Sequence, residues 1–542
     1  MKNWNRTLGF SEKAFHRMLW LYPEEFRLRF GPEMAQIFRD RYREEQQRGR
    51  KTWLVMLWLE IISDLALSAT GEYLERKKIM KNSAADVSLI LQRYFRFLLR
   101  GVGWSLGGLA VITLLAWISC SLYVWHKRPS VVDLWKQTAG QTPDEQLQTL
   151  LQRFPKTAQN KTATEIEHRA QVLGFHSPAA LTASKSLPPP KANLIADANL
   201  SFYLEKQVRT LLDEIDRVPP EVDQFLNSHG RDLRELYLFV QNSEAPRWEM
   251  DYGRGIFVPI PSWLFHQQLQ QLIIVDALPK IQQGRGPDAL LALEASWKIN
   301  QSLLERPELI SQMIGLGILR NQAGVLRKMN QVPPDWQKRL NLDLQTQILY
   351  SLGVDSIVTA DCLPKYGGKM ISGSAGPEYL GSYLGLIGKP LYYLWGLQDL
   401  ELMAQSIGDL KSADACTFDP DRAQRHRLDS ISFWEEGKRY VSSPLRAWEL
   451  ATYVKASLEL TCEVLRVKAL SRERPVAPLP NQQTQKTSSL CPHIQWLRTQ
   501  APDGSITIQA SHLPVWLKVE SARGMPLSYT VAYPPKRTIQ TR

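Results

Sequence analysis

The stretch GVGWSLGGLAVITLLAWISCSLYVW, residues 101–125, decides how the rest of this chain is read. It holds no charged residue over 25 positions. As a helix rising about 1.5 Å per residue it reaches roughly 37 Å, longer than a hydrocarbon core of about 30 Å. Trp104 stands near one end, and Tyr123 and Trp125 near the other, where aromatic side chains settle at a membrane interface. Arg100 closes one end and His126, Lys127 and Arg128 the other. The expectation is one transmembrane helix.

Flanking charge gives the direction. Residues 76–100 carry seven Lys or Arg and residues 126–150 carry three, so the positive-inside rule puts the N-terminal hundred residues in the cytoplasm and the remainder outside. Those first hundred residues hold 19 Lys+Arg against 12 Asp+Glu, or +7 of the chain's net +12. The basic excess is thereby explained by a membrane flank, which disfavours nucleic acid as a partner. A second apolar run, WLVMLWLEIISDLAL at 53–67, contains Glu60 and Asp64 on one helical face; it reads as an amphipathic packed or interfacial helix.

Upstream, Phe26, Phe30, Met34, Phe38 and Tyr42 recur every four residues, an apolar stripe with Arg and Glu on the other face. The runs LYPEEFR at 21–27, RFGPEM at 29–34 and FRD at 38–40 resemble the bacterial permease prefix domain, over about residues 12–78. That small helical module precedes the first span of macrolide-exporter-like ABC permeases. The resemblance implies a cytoplasmic contact module. It does not carry transport activity with it, because such permeases have four spans and this sequence offers one.

Past the span, residues 126–195 read as a linker with short helices. Thr142-Pro143-Asp144-Glu145 is a helix start, and SKSLPPP at 184–190 is a breaker. Residues 196–470 read as an external α-helical domain, with helices starting near Pro219, Pro261, Pro287, Pro307 and Pro334. Leu290, Leu293, Trp297 and Leu304 share a face, and a second helix from Leu309 carries Gly315 and Gly317, which permit close approach. The two form an antiparallel hairpin, flanked by helices near 262–283 and 334–358, a solenoid-like stack without a repeat consensus. The seven glycines between 367 and 388 suggest a loop. A helix around 447–470 is followed by a polar linker, 471–489. The tail, 490–542, alternates as Ile506-Thr-Ile-Gln, Leu517-Lys-Val-Glu and Tyr529-Thr-Val-Ala-Tyr, with turns at Asp503-Gly504 and Arg523-Gly524: a small antiparallel sheet. The fold expected is therefore mainly α. A helical module at 1–80, a basic segment at 81–100 and the span at 101–125 lead into the external helices and the β-rich tail.

Five cysteines are present, one of them, Cys120, in the expected span. Cys362, Cys416, Cys462 and Cys491 lie in the external part, where disulfides form. Four separate buried thiols are one reading; if bridged, three pairings are possible, and Cys362–Cys416 with Cys462–Cys491 is the one favoured. Their gaps are too wide for a zinc site, the nine histidines show no ligand spacing, and HExxH, P-loop and GxSxG motifs are lacking, so no metal or cofactor is expected. The polar loop PRWEMDYGR at 246–254 offers Arg247, Trp248, Glu249, Asp251 and Arg254 as the candidate set for contacting a ligand or partner. Its first seven residues also resemble a stretch that precedes helices in uncharacterised bacterial envelope proteins, a likeness that implies no function.

Taken together, the sequence leads to a single-pass protein of the plasma membrane, with lipid and protein partners and an external helical interaction module. The competing readings are an external hydrolase of envelope polymers, using carboxylates gathered from distant positions, and an accessory or degenerate relative of an ABC exporter.

Overall fold

The computed structural model describes residues 15, 34–36 and 38–40, then 113–175, 198–259, 263–372, 378–413, 415–420, 422–423, 442–473, 486–524 and 526–532. The chain divides into two units, Met1–Leu114 and Leu115–Arg542. In the first, Phe38 of the expected stripe is buried and its ring stacks on Phe15 at 4.5 Å. The apolar run 53–67 and most of the prefix-like module lie outside the described residues.

The second unit is mainly helical with a small antiparallel sheet. Helix α1 covers residues 113–139. Among the described residues no helix is long and apolar enough to cross a membrane. Residues 101–112 of the expected span lie outside them, and 113–125 begin α1. The expected linker starts later than 126, since α1 runs on through Pro129 to 139. There α2 (Pro143–Arg153) opens with a capping box: Thr142 Oγ1 accepts from the Glu145 N–H while Glu145 Oε2 accepts from the Thr142 N–H. Then come α3 (Lys161–Val172), α4 (Ala198–Arg209), α5 (Pro220–Ser228) and α6 (Gly230–Asn242). The breaker at 184–190 lies outside the described residues.

The central helices are α7 (Trp263–Gln282), α8 (Gly286–Leu304) and α9 (Leu309–Lys328). Gly315 is what lets α8 and α9 close: a Cβ there would run into the Leu304 side chain, and Asn300 donates to the Gly315 carbonyl at 3.1 Å. Gly317 has open space around it, so it does not serve the contact. The helix expected at 334–358 is two, α10 (Asp335–Arg339) and α11 (Leu344–Ser372). The glycine-rich segment expected as a loop is helical over 367–372, in α11, and over 378–388, at the start of α12 (Glu378–Ser412); residues 373–377 lie outside the described set. Helix formation costs about 1 kcal/mol per glycine, a cost that packing over a long helix can offset. Finally α13 (Ser442–Glu473) packs on α9, α11 and α12, so the helices also meet partners remote in sequence.

The tail forms a meander of β1 (Lys486–Thr487), β2 (Gln495–Gln500), β3 (Ile506–Ser511) and β4 (Ser528–Val531), antiparallel throughout. Gly504 turns β2 into β3 with φ +82°. Trp496, Ile506, Ile508, Tyr529 and Val531 form its buried side. The segment Leu517–Glu520, expected as a strand, lies in helix α14 (Val515–Arg523), while β2 supplies a strand that was not expected. Two acids one turn apart on α13 seize the sheet. Glu459 accepts from Trp496 Nε1 at 3.0 Å, and buried Glu463 accepts from Arg498 at 2.6 Å and Lys486 at 2.7 Å. Burial pushes the Glu463 carboxyl up, but these donors outweigh it and hold the group below its ordinary value.

Cysteine pairing differs from the expectation. The disulfide is Cys416–Cys491, joining the turn after α12 to the loop before β2. Cys362 is a buried thiol on α11 against Gly255, and Cys462 points at the Gln337 carbonyl from α13. Spacing along the chain suggested neighbouring pairs, but helices α11 and α13 carry the other two thiols to different partners.

Closing 75 residues, this bond should stabilise the full chain by about 2–4 kcal/mol. Urea unfolding of the oxidised protein and of Cys491→Ser should show the lower midpoint for the variant; coincident midpoints would refute the assignment.

Candidate functional site

Segment 245–258 is an extended strap followed by a 3-10 turn, Tyr252–Phe257. Met250 and Thr157 exchange backbone hydrogen bonds at 2.9 and 3.0 Å, and Arg247 bonds Asn160 through both its N–H and its carbonyl. Extended backbone sends alternate side chains to opposite sides. Trp248 and Tyr252 are therefore buried, while Arg247, Glu249 and Asp251 fall on the outer side with Arg254. The sequence-derived set is thereby split. Trp248 is core: its Nε1 donates to Ser302 Oγ at 2.9 Å and its ring meets His266 edge-on at 4.5 Å. Of the other four, Arg254, Asp251 and Glu249 form a surface ion cluster, with Arg254 3.3 Å from Asp251 and 3.7 Å from Glu249 and Lys156 3.0 Å from Asp251, while Arg247 pairs separately with Glu244 at 3.2 Å. Lys156 chiefly holds the Asp251 carboxyl below its ordinary value. Such a carboxylate stays ionised at neutral pH, unsuited to donate a proton.

Behind the strap lies a buried polar centre that the sequence reading missed. Arg306 and Glu308 form an ion pair, each side chain about 5% exposed. The Arg306 guanidinium also donates to the carbonyls of Glu249 at 3.1 Å and Pro259 at 2.8 Å, and Tyr252 donates to Glu308 Oε2 at 2.6 Å. Charge and lone pairs are thus satisfied where an unpaired ion would cost several kcal/mol. Nearby His266 is pushed down to about 3 by burial and by the Arg306 charge, so it is neutral. At the start of α9, Asp355 of α11 accepts from the Leu309 N–H at 3.4 Å, capping a neighbour's helix. Burial raises its carboxyl to about 7, with the charges of Glu308 and Asp399 adding to the rise against the Leu309 donor. Burial likewise raises Asp399, on α12, to about 6, against a hydrogen bond from Ser356. In the sequence, Arg306-Pro307-Glu308 signals only a helix start; nothing local tells that the pair turns inward.

An apolar-floored concavity lies elsewhere, between α1, α2, α11 and α12. It has a volume of about 240 Å3. Its floor is apolar, from Val132, Leu147, Ile357, Leu397 and Leu400. Two opposite-charge pairs stand at its margin, Arg128–Asp144 at 3.5 Å and Lys365–Asp361 at 2.7 Å. Gly396 brings α12 onto α11 here: a Cβ on it would sit 3.1 Å from the Ala360 Cα and 3.2 Å from its carbonyl oxygen. Neither Asp355 nor Asp399 lines this cavity. No group of three or more His, Cys, Asp or Glu able to hold a metal occurs among the described residues.

Compared with known proteins, the chain matches no family model, and no curated protein or solved structure is significantly similar to it.

A carboxyl whose folded pKa is raised is favoured in its neutral form, so its ionisation penalty is absent below the unfolded value near 4 and complete above about 7. Asp355→Asn keeps an acceptor for Leu309 and removes that penalty. Relative to wild type it should gain stability at pH 8, by about 4 kcal/mol at most, and none at pH 4. A pH series of denaturant melts checks this; a pH-independent difference would exclude a raised carboxyl.

Proposed function

We propose that this chain is a membrane-anchored envelope protein whose external helical domain binds a protein or peptide partner. In this reading residues 101–125 cross the plasma membrane once, the N-terminal hundred residues face the cytoplasm, and the body from α2 onward stands outside.

The observation that carries the reading is the bareness of α1. Leu115 is 58% exposed, Leu122 60% and Trp125 78%, whereas Val131 and Trp135 on the same helix are 1% exposed. Burying a Leu side chain is worth about 1.5–3 kcal/mol, so a helix end carrying several bare ones is out of place in water. A lipid core would cover them. The Cys416–Cys491 bond supports the external placement of the body, because such bonds persist in oxidising compartments. The hairpins α7–α8 and α8–α9 begin a solenoid-like stack in this reading, closed by α13, and the partner meets its outer surface. The prefix-like module at 1–80 serves as a second contact on the cytoplasmic side.

The second reading is a hydrolase of envelope polymers. Raised Asp355 and Asp399 favour it, as carboxyls able to hold a proton near neutral pH. It stands second because neither carboxyl lines the cavity.

Fusing an exported phosphatase after residue 542 should give activity in cells, and a green fluorescent reporter at the same place should stay dark. Cytosolic fluorescence would overturn the topology. Proximity labelling from the external body should enrich neighbours over a chain ending at residue 128; identical neighbour sets would remove the partner-binding role.

A further inference from the structure

Resting on the reading of residues 101–125 as a span, we infer that the cavity between α1, α2, α11 and α12 holds the headgroup and upper chain of an amine-bearing glycerophospholipid from the outer leaflet.

Position comes first. Val124, within the apolar stretch, is also a wall of the cavity, as are Arg128 and Val132 further along α1. At about 1.5 Å per residue these three cover roughly 12 Å along the helix. A headgroup layer occupies about 5–8 Å beyond the hydrocarbon edge, so the cavity starts at that edge and extends through the layer.

Its chemistry matches an amphiphile carrying both signs of charge. The floor is apolar, as an acyl chain requires, and the margin alternates Arg128 and Lys365 with Asp144 and Asp361. The cations suit a phosphate, and the carboxylates suit an ammonium with hydrogens to donate. Both existing pairs are largely solvated, Arg128 and Asp144 at 61% and 84% exposure, so each is worth about 1 kcal/mol or less and can exchange for the headgroup readily. A further acceptor comes from the backbone. Pro364 has no N–H, so the carbonyl of Ala360, four residues before it, loses its helical donor, and both residues line the cavity. Size sets the extent: pockets that engulf whole drug-sized ligands run about 300–1,000 Å3. The 240 Å3 here takes part of a lipid and leaves its chain ends in the bilayer.

The full chain, with p-benzoylphenylalanine replacing Tyr393 at the cavity wall or Trp117 on α1, is reconstituted in vesicles of equal phosphatidylethanolamine and phosphatidylcholine and irradiated. Position 117 should form adducts with both lipids equally. Position 393 should favour phosphatidylethanolamine at least five-fold, a preference lost in Asp144→Asn/Asp361→Asn and an adduct yield cut several-fold by Leu400→Trp, which fills the floor. Adducts at 117 with none at 393, equal yields of the two lipids at 393, or a peptide captured there in cells would each overturn the inference and leave the span intact. No lipid adduct at 117 would instead overturn the span, and the inference with it.

Discussion

The buried end of α9 organises the body. A helix finishing inside a protein leaves carbonyls without donors. Here a lysine from another helix closes them: Lys468 of α13 donates to the carbonyls of Arg327 at 2.5 Å and Met329 at 3.3 Å, and pairs with Asp213. Asp213 also accepts from the Tyr529 hydroxyl of β4 at 2.9 Å. The Arg327 side chain is itself buried, with no acid paired to it among the described residues, and is held by Ser457 and Thr461 of α13. Four distant pieces of chain thus converge: the loop after α4, the end of α9, the middle of α13 and the last strand. Burial pulls the Lys468 ammonium below its ordinary value, yet Asp213 keeps the charged form favourable enough to bridge them.

Polar pairs placed at junctions recur through the body, and they explain where the acids went. Glu459 and Glu463 hold the sheet, Asp276 takes Tyr237 and Lys280, and Glu308 takes Arg306 and Tyr252. These carboxylates are committed to joining elements. Asp355 and Asp399 differ in that burial raises both carboxyls, to about 7 and about 6, so the α11–α12 layer carries groups that titrate near neutral pH.

Local chemistry in the sequence was legible where it acts locally. Pro219, Pro287 and the Thr142 box mark helix starts because ring geometry and capping need no distant partner. The alternation at 506–509 and the turn at Gly504 read correctly for the same reason. Failures came where a remote contact decides. Val515–Arg523 has strand-like residues but packs on α13 as a helix, with Trp516 donating to the Ala415 carbonyl at 3.2 Å. Cysteine partners depended on how α12 delivers Cys416 to the sheet. The polar loop stands out in the sequence by its charges, and its extended backbone turns Trp248 inward and the charges outward. Nothing near Leu309 or Asp355 in the chain announces their hydrogen bond, since 46 positions separate them.

Helix α1 passes from bare apolar residues into the core at Val131 and Trp135 without an intervening coil, and Trp135 is fastened to Gln146 of α2 at 2.9 Å. Under the proposed anchoring this joint acts as a mast and not as a tether. The six residue steps from Trp125 to Val131 put the fully buried part of α1 about 9 Å beyond the aromatic belt. They also fix its heading, because each residue added there would swing the whole body by about 100° and lift it by about 1.5 Å. A protein built in this way addresses its surroundings from one bearing only, so whatever it meets must come to it at that level and from that side.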